Sequence, residues 1–335
     1  MKYIMDDKHL VRNNCLSLIK LLAALQVMYG HLIYHLNLPG INNFFINKII
    51  SYYSGVPIFF IISGFLIWFS IERSSSYKAY LKKRFWRIYP ELWLAVIIEI
   101  LTILIFYNDW NTNQLILFTI TQGTFFQFYT PASLRDYGCG TPNGTLWTIC
   151  VMIQFYFVAG FIYKYLHRSK LTLWLVGIMV LVGCSAFGQL LFERFGDVIL
   201  IKLYGQSIIK YFWLFYIGCF LAEFKSNLLL LSKTKWLFLF FGGLILHFFN
   251  LDINAGYGFF RSFLLTTALI CFAYSYPQLA IRTDITYGIF LYHMIIVNVF
   301  ITKNYIGNWL YAMTVLAITL GFAYFSTLLI GKRTG

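Results

Sequence analysis

A cation and an imidazole interrupt an otherwise apolar stretch near the start of the chain, at Lys20 and His31. Their spacing of 11 residues (31 − 20) places them about 20° from a common helix face and roughly 16 Å apart along the helix axis. A cation can bind an anionic substrate group, and a neutral imidazole can accept a proton from a hydroxyl. Ionisable side chains within an apolar span are costly, and they are therefore candidate functional residues.

Each of these residues also has a purely structural explanation. Lys20 could extend its ammonium to the lipid headgroups, and His31 could be a packing histidine that is hydrogen-bonded between helices. His35 follows His31 by one turn, but the stretch lacks the glutamate of the H-E-x-x-H motif, so no metal site is predicted. The face shared by Lys20 and His31 favours function.

A pair of arginines, Arg84 and Arg87, precedes Pro90 in a basic segment. On a helix, two residues three apart lie about 60° from each other, so both guanidinium groups would project from one face. Guanidinium groups bind phosphate in a bidentate manner. The structural alternative is a basic segment beside a membrane span that contacts anionic lipid.

Four further residues stand out from their apolar surroundings. Ser63 begins an S-G-F-L run, where small residues allow helices to pack closely. Trp147 lies at the opening of a predicted span, as aromatic residues at membrane interfaces do. His293 is a second imidazole within an apolar segment, and Tyr287 lies six residues before it.

The composition predicts the element type that must position these residues. Hydrophobic residues make up 60% of the 335 residues and charged residues only 11%, with a mean hydropathy of +0.71. Soluble domains contain about 25% charged residues, so we expect an all-α, polytopic membrane protein with about ten transmembrane helices. The spans are predicted at 14–36, 48–71, 91–107, 145–164, 171–192, 206–223, 236–250, 257–276, 286–302 and 308–330.

The distribution of charge predicts the orientation. Segment 72–89 is rich in Lys and Arg and is predicted to be a cytoplasmic loop, with Pro90 in the first turn of the next span. Segment 108–144 is predicted to be an extracytoplasmic loop with a re-entrant or interfacial piece. The N- and C-termini are then both cytoplasmic. Most of the 26 basic residues fall on the inner side, so the net charge of +14 reflects topology and not nucleic-acid binding.

Taken in order, these motifs resemble the bacterial acyltransferase-3 family of integral-membrane O-acyltransferases, over the whole chain (1–335), read as one membrane-embedded domain. The resemblance comprises Lys20 and His31, the S-G-F-L run from Ser63, the R-x-x-R pair with its trailing proline, an L-W-S-L-like opening at Trp147, and the segment from Tyr287 to His293. Two positions depart from the family pattern. Met152 stands where a glutamate is usual, and Ser17 stands where an acidic residue is common.

The resemblance implies transfer of an acyl group, preferably acetyl from cytoplasmic acetyl-CoA, to a hydroxyl of a surface or lipid-linked glycan such as O-antigen or exopolysaccharide. His31 would be the general base or a transiently acylated nucleophile. Lys20, Arg84 and Arg87 would bind the donor, with Ser63, Trp147, Tyr287 and His293 as possible support.

The same resemblance implies acetyl-CoA as a substrate and no permanently bound cofactor. The expected location is the bacterial cytoplasmic (inner) membrane, with acyl-CoA, the acceptor glycan and membrane lipids as partners. A transporter or flippase for lipid-linked sugars, with Lys20, His31 and Arg261 along its pathway, is the alternative function. Transporters often have inverted repeats, and no such symmetry is evident in this sequence.

Overall fold

The computed structural model describes residues 14–40, 43–195, 203–225 and 235–330, and within them it is helical, without β-strands. The first six α-helices are α1 (Leu16–His35), α2 (Phe44–Tyr52), α3 (Gly55–Glu72), α4 (Tyr77–Phe106), α5 (Thr112–Gln122) and α6 (Trp147–Leu166). The other six are α7 (Leu171–Phe195), α8 (Ile208–Glu223), α9 (Lys235–Phe248), α10 (Phe259–Ser275), α11 (Thr286–Thr302) and α12 (Trp309–Ile330).

The prediction of an all-helical membrane protein is confirmed at this level. Six candidate spans within the described residues are long and apolar enough to cross a membrane: 16–35, 44–72, 77–106, 144–166, 171–191 and 309–330. Helices α9, α10 and α11 are apolar but shorter. A count of ten crossings stays a prediction, and the chain termini, predicted to be cytoplasmic, lie outside the described residues.

One predicted helix start is wrong, and one predicted span contains a break. Most of the basic segment 72–89 is helical, because α4 already begins at Tyr77 and continues for 30 residues; its cytoplasmic location stays a prediction. Pro90 therefore lies inside this helix and not in its first turn, so one internal hydrogen bond of α4 has no donor. The predicted span 48–71 lies within the candidate span 44–72, and it contains a break, since α2 ends at Tyr52 and α3 begins at Gly55.

The chain divides into two compact units. Unit 1 comprises residues 1–23, 43–80 and 154–282, and unit 2 comprises residues 24–42, 81–153 and 283–335.

Within unit 1, α3 packs along α8 with backbone touching backbone. A Cβ atom at Gly64 would overlap the carbonyl group of Phe215, and one at Gly218 would overlap the carbonyl of Ile61. The S-G-F-L run that contains Ser63 therefore lies at a close helix–helix contact, as small residues permit.

Within unit 2, the segment that follows α4 folds back along it. Trp93 donates its indole N–H to the carbonyl of Gly123 at 2.9 Å, just after α5 ends. The chain then returns, because the hydroxyl of Tyr107 donates to the carbonyl of Ser133 at 3.1 Å. Trp93 and Tyr107 are about 20 Å apart along the α4 axis, so α5 and the return segment form a hairpin against one helix. Whether this hairpin enters the membrane stays a prediction.

Helix α11 of unit 2 is held between α4 and α12. Its Tyr287 hydroxyl donates to the carbonyl of Ile88 at 3.1 Å. Gly288 faces Ala323 so closely that a Cβ atom would lie 2.7 Å from the Ala323 Cα. The start of α11 is therefore fixed by one hydrogen bond and one small-residue contact, and this fixes the register of His293 two turns later.

Candidate active site

Three imidazole rings of unit 2 lie side by side. The ring centroids of His31 and His293 are 5.3 Å apart, with the planes inclined by 50°. The rings of His31 and His35 stack in parallel at 5.5 Å. His293 is fully buried, whereas His31 and His35 are partly exposed. The structure thus brings together two predicted site residues, His31 and His293, from α1 and α11.

The hydrogen bonding of His293 defines which ring nitrogen carries the proton. Its Nδ1 lies 2.8 Å from the carbonyl oxygen of Ile289, and a carbonyl oxygen only accepts. Nδ1 is therefore the N–H of the neutral ring, and Nε2 carries the lone pair. Nε2 is buried and has no protein partner, so an acceptor atom is available next to His31.

A loop of unit 2 is attached to α11 close to His293 by one amide side chain. The Nδ2 group of Asn298 donates to the carbonyls of Thr141 and Pro142 at 3.0 and 2.7 Å, and Oδ1 accepts the Cys139 N–H at 2.7 Å. Gly138 has a positive φ of 59°, and a Cβ atom there would overlap the Asn298 side chain. Glycine is therefore required by both conformation and space.

A second attachment joins the same loop to α11 on the other side of His293. The Asn143 side chain donates to the carbonyl of Leu291 at 2.9 Å, and the Thr145 hydroxyl lies 3.2 Å from the carbonyl of Phe290. Trp147 begins α6 two residues later and is partly buried. The L-W-S-L-like motif thus follows a loop that positions the histidine helix.

The two predicted donor-binding arginines lie on α4, near the start of α11. Arg87 directly precedes Ile88, whose carbonyl accepts the Tyr287 hydroxyl. His293 follows Tyr287 by six residues, which is about 9 Å along the helix. The basic end of α4 and the imidazole are therefore connected through α11, within unit 2.

The arginines differ in exposure. Arg87 is exposed, and Arg84 is partly buried with a buried Nε that has no protein partner. Phe85 stacks on Tyr89 beside them at 4.4 Å. An exposed guanidinium next to a half-buried one is suited to contact a phosphate group that arrives from solvent.

Two predicted residues, Lys20 and Ser63, belong to unit 1. Lys20 is partly buried on α1, the same continuous helix that carries His31, as the spacing predicted. Ser63 is partly buried on α3, next to the Gly64 contact. The participation of both residues in donor binding or support stays a prediction.

Two acidic residues of α4 were missed as candidate functional residues. Glu91 accepts a hydrogen bond of 2.6 Å from the hydroxyl of Ser326 on α12. Glu99 is 1% exposed, and neither of its carboxylate oxygens has a protein partner. The signal was present in the sequence, since a glutamate within the apolar run A-V-I-I-E-I-L is an intramembrane ionisable group.

Two reactive side chains of the loop are neutral at physiological pH. Burial raises the pKa of the Cys139 thiol above its ordinary value, and burial raises the pKa of Tyr137 to about 12. A thiol that is not ionised is a poor nucleophile.

None of the six cysteines, all of which lie in described residues, forms a disulfide. Within those residues no group of three or more His, Cys, Asp or Glu side chains could hold a metal ion.

An apolar helical protein with paired imidazoles and a basic helix end has the features of a membrane-embedded group-transfer enzyme. The family model described as "Acyltransferase domain" (acyltransferase 3) matches residues 13–328. The chain therefore belongs to this acyltransferase family, and it is a multi-pass membrane protein.

Two curated relatives align with most of the chain. Nodulation protein 10 of Rhizobium leguminosarum bv. viciae is 28% identical over 327 residues, which cover 89% of this chain and 86% of the relative. The O-acetyl transferase of Shigella phage Sf6 is 26% identical over 344 residues, which cover 96% of each. No solved structure gives a significant match.

Proposed function

We propose that this protein transfers an acetyl group from cytoplasmic acetyl-CoA to a hydroxyl of a surface or lipid-linked glycan, such as O-antigen or exopolysaccharide. The observation that carries this proposal is the contact between His31 and His293 in the unit that also carries Arg84 and Arg87. Membership of the acyltransferase family supports acyl transfer. The name of the Shigella phage relative, an O-acetyl transferase, supports acetyl as the group and oxygen as the acceptor.

In this proposal the acetyl-CoA phosphates contact Arg84 and Arg87, and Lys20 extends the donor site. CoA carries several phosphate groups, and charge-assisted hydrogen bonds from guanidinium groups bind them strongly. No permanently bound cofactor is needed. The ten-crossing topology, with both termini in the cytoplasm and one membrane-embedded domain in the inner membrane, belongs to the same proposal, because it presents the basic end of α4 to the cytoplasmic donor.

His31 acts as the general base in this scheme. It takes the proton from the acceptor hydroxyl as the oxygen attacks the thioester carbonyl carbon. The new C–O bond forms, the C–S bond breaks, and the CoA thiolate leaves and is protonated by the imidazolium. His293 supports His31, since its unpartnered Nε2 can accept a hydrogen bond or share the proton. General-base catalysis of this kind contributes about 10²–10⁴ in rate.

The test is turnover by the purified protein in lipid nanodiscs, with acetyl-CoA and purified glycan, followed by mass spectrometry of the glycan. The expected result is a gain of one acetyl group with release of one CoA. A protein that hydrolyses acetyl-CoA without modifying any glycan would contradict the proposal.

Glycan from cells with and without the gene separates acylation from transport. Loss of acetyl groups at unchanged chain length and unchanged surface amount supports the transferase. Loss of surface glycan, with acylation intact on the material that remains, would instead support the flippase.

A further inference from the structure

Unit 1 contains a group of cations that the proposed reaction leaves unused, at Lys48 of α2 and Arg261 of α10. Neither side chain lies within ion-pair distance of a carboxylate in the part of the chain that the structure describes. Lys48 donates one of its three N–H bonds to the side-chain oxygen of Asn250 at 2.9 Å. The Nε of Arg261 is buried and has no protein partner.

A neutral histidine lies beside Arg261 and is linked through Ser51 to the backbone of Lys48. The Ser51 hydroxyl donates to the Lys48 carbonyl at 3.0 Å, so it must accept from Nε2 of His247, which lies 2.9 Å away. The lone pair of His247 is then on Nδ1, which faces Nη1 of Arg261 at 3.5 Å. Because both ring nitrogens are used as in the neutral imidazole, His247 adds no charge and orients the guanidinium.

The nearest acidic residue, Asp252, forms no ion pair with either cation, although its charge acts on Arg261. The Asp252 carboxylate accepts the backbone N–H groups of Ile253, Phe260 and Arg261 at 2.8, 2.7 and 3.0 Å. It therefore caps the N-terminal end of α10. Two cationic side chains remain with donors that no carboxylate occupies, which is the arrangement of an anion site.

The rim of this group is apolar and exposed. The Phe44 and Phe45 rings lie 5.7 and 5.6 Å from the ring of Phe248, and both are more than 60% exposed. Phe249 and Leu251 are 69% and 61% exposed. A ligand that fits both parts has an anionic head and a hydrocarbon tail. Phosphate-bearing lipids have this chemistry.

We propose that Lys48, Arg261 and His247 form a binding site for the diphosphate of a prenyl-linked glycan, the acceptor lipid of the reaction. This deepens the proposed function and rests on it for the identity of the ligand. A diphosphate diester carries two negative charges and offers the two cations more charge and more acceptor oxygens than the phosphodiester of a common phospholipid, which carries one. The prenyl chain would lie against the aromatic rim.

The site is tested by binding alone, with the full chain in phosphatidylcholine nanodiscs and farnesyl diphosphate as the probe. Lys48→Gln and Arg261→Gln should each weaken binding about tenfold. Lys48→Arg and Arg261→Lys should bind nearly as well as the wild type. Lys164→Gln, which removes an exposed lysine of the same unit, should bind normally. Unchanged affinity in both glutamine variants would overturn the site.

Further binding measurements identify the chemical class of the ligand. Farnesol, which lacks the diphosphate, should not compete, and phosphatidylglycerol in the nanodisc should compete weakly. Equal competition by phosphatidylglycerol would overturn the assignment in favour of a general phospholipid contact. Affinity of the wild type for the probe should fall as salt rises, and a flat salt dependence would overturn the site without any variant.

The outcome is independent of catalysis, because no acetyl-CoA is present. A wild-type protein that binds farnesyl diphosphate through these cations but acylates no glycan would retain the site and refute the proposed reaction. A protein that acylates glycan but does not bind the probe would retain the reaction and refute the site.

Discussion

The ring centroids of His31 and His293 are 5.3 Å apart, although the two residues lie on helices at opposite ends of the sequence. One ring is partly exposed and the other is fully buried, with its lone pair on Nε2. His31 can therefore contact a substrate, and His293 can support His31 from the interior.

His31→Ala should lower kcat/KM for glycan acetylation by about 10²–10⁴, because it removes the general base. His293→Ala should also lower it, and the double variant should be little worse than His31→Ala, since residues that act together are not additive. Turnover in nanodiscs measures this. His167→Gln, in unit 1, is the matched control and should be near normal. Full activity of His31→Ala would remove this residue from the reaction.

Arg84→Gln and Arg87→Gln should each raise KM for acetyl-CoA about tenfold with little change in kcat, because phosphate contacts bind ground and transition states alike. Initial rates at varied acetyl-CoA concentration test this. Lys83→Gln, an exposed cation on the same helix, provides the control. A fall in kcat at constant KM would instead place the arginines near the reacting atoms.

Asn298→Ala should destabilise the protein by about 3 kcal/mol, because it leaves several buried backbone groups of the attached loop without partners. Chemical unfolding in detergent, followed by loss of helicity, measures the change. Asn113→Ala removes an exposed amide and should change stability little. Equal stability of the two variants would show that the attachment of the loop to α11 contributes nothing.

A maleimide should alkylate Cys139 more slowly than an exposed thiol at pH 7, since burial raises the Cys139 pKa and only the thiolate reacts. The thiolate forms as pH rises towards the pKa, so the rate for Cys139 should still be rising at the pH where the rate for an exposed thiol has levelled off. A variant that retains only Cys139, compared with a free cysteine derivative in the same buffer, provides the measurement. A rate that levels off below pH 8 would contradict the raised pKa.

Much of the fold was predictable because the length of each apolar stretch in the sequence determines whether it forms a long apolar helix. Most predicted spans have a helix with boundaries within a few residues, as at 286–302, where the helix is Thr286–Thr302. The predicted and observed helices differ at Pro90 and at one break in an apolar run. Pro90 was expected to begin a helix, but side-chain packing of α4 outweighs one missing hydrogen bond, and the break before Gly55 has no compositional signal.

The site was predictable in its parts and less so in its arrangement. His31 and His293 were identified as intramembrane imidazoles, but their contact depends on how α1 and α11 pack, and helix periodicity does not encode this. Asn298 was missed for the same reason, since its role arises from a loop that meets it only in the folded chain. Glu99, in contrast, was visible as an acidic residue in an apolar run.

The reciprocal contact of Gly64 and Gly218 has a consequence for motion during turnover. Each glycine receives a carbonyl group of the opposite helix, so neither α3 nor α8 can rotate about its axis without driving backbone atoms into each other. The two helices must therefore move together as one rigid body. Any rearrangement that admits or releases a substrate has to bend the chain elsewhere, and alanine at either glycine would wedge the pair apart.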